Sequence, residues 1–260
     1  MIGIAIDKAY LEDENQTIGV LLPELMGKVE DERKQKITVK DILNQQTGLE
    51  WKGYLEHESW LNSEQPNLYV LNKKLVAEPN TVYNYNTGAT HLLSVIIQQK
   101  SDMSALDFAK QFLFQPLGID TLNWEKRGDG NYDGGGLGLE MRASDLVKIG
   151  QLVKDGGVYN DKQIVSKAWI DKLFDASLKS ATDWGLRNSK HGYCWYQANF
   201  KGEVVTYAMG YGGQFILIVP EENIVVVSTF NHDTPNGIDQ QIQFLSRNFA
   251  EILEQTKQDE

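Results

Sequence analysis

Two short segments of the chain hold residue types that could carry chemistry. Tyr83-Asn84-Tyr85-Asn86-Thr87-Gly88 stands directly ahead of the apolar set Leu92, Leu93, Val95, Ile96 and Ile97. A tyrosine held there could reach a cleft with its hydroxyl and move a proton while the core grips its backbone. The same residues also spell a turn rich in Asn and Gly with aromatic rings packed beneath it. Farther on, Tyr207-Ala208-Met209-Gly210-Tyr211-Gly212-Gly213-Gln214-Phe215 joins two apolar runs through three glycines. Glycine lets a ligand come close to the backbone, where N–H groups polarise a carbonyl as an oxyanion hole; it equally permits a tight bend or a bulge.

The remaining candidates carry less. Gly134-Gly135-Gly136-Leu137-Gly138 lacks the Lys-Ser/Thr pair of a phosphate loop and the strand-glycine-helix setting of a dinucleotide site, and it predicts a surface turn close to the cleft. His57, His91, His191 and His232 show no metal-ligand spacing, so no metal and no cofactor is expected. Asp133, Glu140 and His191 fall in no spacing that would make a separate catalytic set.

The elements that must position these residues are legible from caps and periods. Thr38 with Asp41 forms a capping-box-like pair ahead of Val39, Ile42 and Leu43, and Gly48 offers a stop. Residues 50–78 show no sustained period and predict a long irregular segment. A buried helix is expected over 91–99, a second behind Ser104 and Asp107, a third over 145–154 closed by Gly156-Gly157, and a fourth behind Ser166. Residues 193–198, 204–208, 215–219 and 224–230 read as strands, with Pro220-Glu221-Glu222-Asn223 as a hairpin turn. Ile238, Ile242, Leu245, Phe249 and Ile252 then give one helical stripe. The first residues, Met1-Ile2-Gly3-Ile4-Ala5-Ile6, are apolar with neither a basic leader nor a capping residue, and continue with helical spacing toward Tyr10 and Leu11; they read as a helix entered halfway and not as a signal peptide.

At 260 residues with 41% apolar content the chain is long enough for a sizeable core, and one domain over 1–260 is expected. A formal charge of -11 opposes attraction to phosphate backbones and anionic lipid, so nucleic acid is not an expected partner. No apolar run is long enough to span a bilayer, and no membrane partner is expected. Cys194 is the only cysteine, which excludes an intrachain disulfide and leaves cytoplasm and periplasm equally open.

In order along the chain, Ile37-Thr38-Val39-Lys40-Asp41-Ile42-Leu43 through Thr47-Gly48-Leu49-Glu50-Trp51, residues 79–93, Pro116-Leu117-Gly118-Ile119, and residues 134–157 and 210–220 resemble the β-lactamase-related serine hydrolases. That family includes class C β-lactamases, penicillin-binding carboxypeptidases and related esterases and amide hydrolases. The resemblance implies an α/β (α+β) fold of β-lactamase/transpeptidase type, with an antiparallel sheet flanked by helices and a helical region. It implies an acyl-enzyme route on a small ester or amide, in which a serine of a Ser-x-x-Lys helix attacks while its lysine and a tyrosine manage the proton.

Tyr85 matches that tyrosine, Thr87 stands where many members carry Asn, and Gly210-Tyr211-Gly212 corresponds to the third motif, with no basic side chain at its first position. The resemblance therefore implies oxyanion donors near Gly212 and disfavours β-lactams and peptide carboxylates as substrates. No serine in the chain is followed by lysine three residues on. By the resemblance that motif and strands of the central sheet precede Met1, about two and a half helical turns away for the serine. The expectation is a domain incomplete at its N-terminus, inactive alone, with an exposed sheet edge open to self-association. A noncatalytic binding protein on the same scaffold is the alternative.

Overall fold

The longest helix forms where the sequence sets its densest apolar run: Thr87–Ser101, buried along most of its length. A computed structural model describes residues 1–179, 185–231 and 236–258 and divides the chain into two compact units, Met1–Glu140 and Met141–Glu260.

The first unit is helical. Helices α1 (Ile2–Asp7), α2 (Ile18–Leu21), α3 (Pro23–Met26), α4 (Val39–Leu43), α5 (Tyr54–Leu61), α6 (Pro66–Leu71), α7 (Thr87–Ser101) and α8 (Ala105–Ala109) precede a pair of short strands, β1 (Leu122–Trp124) and β2 (Leu139–Met141). Helix α7 is its centre, in contact with α1, α2, α4, α5, α6 and α8. The Thr38–Asp41 capping box is formed in both directions, 3.1 Å from Asp41 N–H to Thr38 Oγ1 and 2.8 Å from Thr38 N–H to Asp41 Oδ2. Ser104 accepts from Asp107 N–H and caps α8.

Three expectations for this unit are corrected. Helix α1 stops at Asp7 because Ala9 turns the chain at φ 59°, so Tyr10 and Leu11 lie beyond it; Tyr10 instead packs edge-on against Phe108. Helix α4 ends at Leu43 because Gln45, at φ 58°, takes the left-handed position expected of Gly48. The segment 50–78 is not irregular, since it holds α5 and α6. Each is eight residues or shorter, and α5 buries Glu56 and Trp60 while Leu55 is exposed, which hides its period. Glu56 is tolerated inside because Lys73 pairs with it at 2.5 Å.

The second unit holds a six-stranded sheet in the order β10-β9-β8-β7-β6-β5, every neighbouring pair antiparallel. Its strands are β5 (Leu178–Lys179), β6 (Lys190–Gly192), β7 (Trp195–Phe200), β8 (Glu203–Gly210), β9 (Gln214–Val219) and β10 (Ile224–Ser228). A small hairpin of β3 (Val158–Tyr159) and β4 (Lys162–Gln163) stands apart. The 220–223 turn is the expected hairpin, pairing Val219 with Ile224 and placing Asn223 at φ 54°. Helix α9 (Ala143–Lys154) comes close to one sheet face because Gly150 carries no side chain: a Cβ there would lie 2.4 Å from Val225. Helix α10 (Lys167–Leu173) follows, capped by Ser166.

Alternate residues of β9, Phe215, Leu217 and Val219, form the core with Phe244, Leu245, Phe249 and Leu253 of the C-terminal helical segment, in which α11 (Gly237–Gln243) precedes and α12 (Ala250–Thr256) follows residues 244–249. The single stripe expected there is broken: Ile238 and Ile242 are exposed. Phe244–Phe249 winds as a π-helix between α11 and α12, and the extra residue per turn rotates the apolar face. Among the described residues β10 pairs with β9 alone. His232 lies outside the described residues.

His191 is buried in β6 opposite Tyr196, ring centroids 5.0 Å apart, and burial pushes its imidazole down to about 4. The unfolded chain therefore binds this proton more readily. Stability is intact above the ordinary imidazole value of 6.5 and is lost as pH falls from there toward 4, by at most about 3 kcal/mol. Urea unfolding across that window is expected to show a steep acid slope that flattens in His191→Gln.

Candidate active site

Tyr85 is held from both sides by one residue, through its backbone and its side chain. The Gln45 carbonyl accepts Asn84 N–H at 2.8 Å, and Gln45 Oε1 accepts Asn86 N–H at 2.7 Å. Asn84 Nδ2 donates onward to the carbonyls of Leu49 (3.2 Å) and Trp51 (3.4 Å). Asn86 caps α7, its Oδ1 accepting Ala89 N–H at 2.9 Å. Asn86 is 0% exposed and Thr87 3%, while Tyr85 between them and the preceding turn is 41% exposed. A phenol carried into solvent on a backbone fixed in the core is an arrangement suited to moving a proton to or from a bound group. Gln45→Ala would strip the buried Asn86 N–H of its acceptor and is expected to cost about 1–3 kcal/mol in urea unfolding.

The same segment supports the approach to Tyr85. The Gly48 carbonyl accepts Val76 N–H (2.9 Å) and Ala77 N–H (3.3 Å), and the Gln46 carbonyl accepts Asn80 N–H (2.9 Å). Residues 45–51 are thus a template on which 75–86 is laid.

The Gly134–Gly138 turn is not a plain surface turn. Gly135 is buried, and a Cβ on it would meet Thr87 Cγ2 and the Thr87 carbonyl at 2.7 Å. Its backbone is pinned at Asp133, whose carbonyl accepts Trp124 Nε1–H at 2.8 Å and whose carboxylate pairs with Arg127 at 2.7 Å and accepts Gly135 N–H at 2.5 Å. Thr87 therefore lies against this loop at the first turn of α7. Spacing gave no sign of Gln45, Asp133 or this contact; the glycines alone marked a place where backbone could come close.

In the second unit the Gly210–Gly212 segment is a hairpin tip. Gly210 pairs with Gln214 to close β8 against β9, and Gly212 (φ 79°) and Gly213 (φ 94°) turn in the left-handed region that glycine enters freely. Gly213 is committed to holding the tip: its N–H donates to Gln241 Oε1 at 3.1 Å and its carbonyl accepts Ser228 Oγ–H at 2.8 Å. Tyr211 is 49% exposed. Among the described residues no hydrogen bond occupies the Gly212 N–H. The bend is thus real, and it leaves an amide at the tip that can donate.

Residues 9–249 match the family model described as Beta-lactamase, over most of the chain. The chain belongs to the beta-lactamase family. Within it the chain is 23% identical over 260 residues to the 6-aminohexanoate-dimer hydrolase of Paenarthrobacter ureafaciens, covering 91% of this chain and 64% of that one. Among solved structures it is similar to a Bacillus anthracis protein with a provisional assignment as a 6-aminohexanoate-dimer hydrolase (TM-score 0.75, 20% identity, 98% of this chain and 70% of the other). It is also similar to the octameric penicillin-binding protein homologue of Pyrococcus abyssi (TM-score 0.68, 19% identity, 94% and 62%).

The fold is accordingly of the β-lactamase/transpeptidase type, mixed α/β with an antiparallel sheet, and the family is one of hydrolases. The chain spans less than two thirds of the length of the curated relatives it matches, 64% and 59%. Among the described residues no three His, Cys, Asp or Glu side chains are grouped to hold a metal ion, and no helix is long and apolar enough to cross a membrane.

Proposed function

We propose that this chain carries the proton-transfer and oxyanion parts of a serine hydrolase acting on small esters or amides through an acyl-enzyme. Its nucleophile comes from outside these 260 residues, so the chain alone turns nothing over. The observation that carries this reading is Tyr85, exposed on a mount whose flanking residues, the half-buried Asn84 and the buried Asn86, are both hydrogen-bonded to Gln45.

The chemistry divides simply. A serine Oγ bonds to the substrate carbonyl carbon as its proton passes to the Tyr85 oxygen, held as a phenolate whose own proton rests on the lysine of the same Ser-x-x-Lys segment. The tetrahedral oxyanion takes N–H donors of the Gly210–Gly212 tip. The leaving alkoxide or amine departs with the proton from Tyr85, and water cleaves the acyl-enzyme by the same route. By the family's motif order, Thr87 and Tyr211 are taken as substrate-contacting positions of their own motifs. Gly210 in place of a cation favours acyl groups without a carboxylate. The similar protein of Paenarthrobacter ureafaciens is named as a hydrolase of a 6-aminohexanoate dimer, a small substrate.

The absence of any Ser-x-x-Lys favours a second reading, a ligand-binding protein on the same scaffold. Fusing the Ser-x-x-Lys-bearing segment of a structural relative to the chain and assaying p-nitrophenyl butyrate separates the two. Turnover with an acyl-enzyme burst is expected. A folded fusion that binds saturably without turnover supports the second reading and overturns the first. The single-sided pairing of β10 supports self-association through that edge, and sedimentation velocity over a concentration series checks it.

A further inference from the structure

Both ring nitrogens of His91, fully buried on α7, are engaged. Gly134 N–H donates to Nδ1 at 3.2 Å, so Nδ1 is the acceptor and the ring proton resides on Nε2, which faces Asp129 Oδ2 at 3.1 Å. Asp129 is oriented in turn by Asn131 N–H (3.1 Å), Asn131 Nδ2 (2.8 Å) and Asn67 Nδ2 (2.5 Å). Trp60 stands edge-on to the imidazole at 5.6 Å and fixes the ring plane.

The other end of this chain of bonds is the glycine loop. A Cβ on Gly134 would lie 3.0–3.1 Å from Ser94 Cβ and from the carbonyls of Thr90 and His91, so its backbone sits flush on α7. Gly135 next to it touches Thr87, the first residue of the helix that Tyr85 precedes by two positions. The loop has no side chain of its own at these two positions with which to hold on. Its grip at Gly134 is the bond to His91.

We propose that His91, oriented by Asp129, is a positioning residue: its Nδ1 anchors the Gly134–Gly135 loop on Thr87 and so fixes the first turn of α7 from which Tyr85 projects. The consequence for catalysis rests on Tyr85 being the proton-transfer residue; the anchoring does not.

The test uses the 260-residue chain with labelled histidine, tyrosine and glycine. Long-range nitrogen–proton NMR is expected to show His91, identified by its loss in His91→Phe, as the neutral tautomer protonated at Nε2. In folded His91→Phe the Gly134 amide is expected to exchange about tenfold faster or more, and the Tyr85 ring signals to shift. His91→Asn, whose side-chain oxygen can replace Nδ1 as acceptor, restores the Tyr85 signals and brings exchange back within about threefold.

Protonation of His91 at Nδ1 in the unsubstituted chain overturns the proposal, and this readout decides even if His91→Phe does not fold. Unchanged Gly134 exchange and Tyr85 signals in a folded His91→Phe overturn it equally. None of these readouts is an activity, so failure here leaves the Tyr85 reading standing, and failure of that reading leaves the tautomer and the exchange rates as expected.

Discussion

Tyr85→Phe, in a form of the protein that also carries a Ser-x-x-Lys nucleophile, is expected to lower kcat for ester or amide hydrolysis by roughly 10²–10⁴-fold while the fold is kept. The substitution removes one oxygen from a ring that is 41% exposed and leaves untouched the hydrogen bonds that the flanking Asn84 and Asn86 amides donate to Gln45. Circular dichroism and urea midpoints should therefore match the parent. The fall should appear in acylation and deacylation alike, since the same tyrosine oxygen, as phenolate, receives the proton from the attacking oxygen and, as phenol, returns it to the leaving group. Rates within threefold of the parent would remove Tyr85 from the mechanism.

Gly48→Ala is expected to be the most damaging single methyl near the site. Gly48 holds φ 73°, where an L side chain costs about 1–2 kcal/mol. A Cβ there would also lie 2.1 Å from the Ala77 carbonyl oxygen and 3.0 Å from its carbon, so segment 75–77 must move. Overpacking of that kind adds about 1–3 kcal/mol. The hydrogen bonds from Val76 and Ala77 to Gly48 weaken with the shift. The sum, about 2–5 kcal/mol, is a large share of a net stability of roughly 5–15 kcal/mol. Gly118→Ala is the internal control: φ is 63° there, but nothing lies within 4 Å of the added carbon, so only the conformational part is expected. Urea unfolding of the two variants side by side isolates the clash, and equal losses would refute it.

Much of this molecule is written locally. The Thr38–Asp41 box, the Ser104 and Ser166 caps and the 220–223 hairpin are readable because cap and partner lie within a few residues of each other. Tyr85 is readable as a candidate because its motif ends on the cap of a strongly apolar helix. What holds it is not: Gln45 acts across about forty residues through a side-chain oxygen and a left-handed backbone, and neither leaves a periodic trace. Helices α5 and α6 are too short to show a period, and α5 inverts the usual polarity with a buried Glu56 paired to Lys73. At 134–138 the glycines declare that backbone comes close to something without saying to what; the answer, Thr87 and His91 on α7, is a tertiary contact. The C-terminal stripe fails for a different reason, since the π-helix at 244–249 changes the period that the prediction assumes to be constant.

The most direct measurement is the intact mass of the folded 260-residue protein after exposure to a fluorophosphonate serine-hydrolase probe, with heat-unfolded protein as the control. No folding-dependent adduct is expected, because no serine in the chain has a lysine three residues on to activate it. A stoichiometric adduct on the folded protein alone would show an activated serine within these residues and contradict a nucleophile supplied from outside.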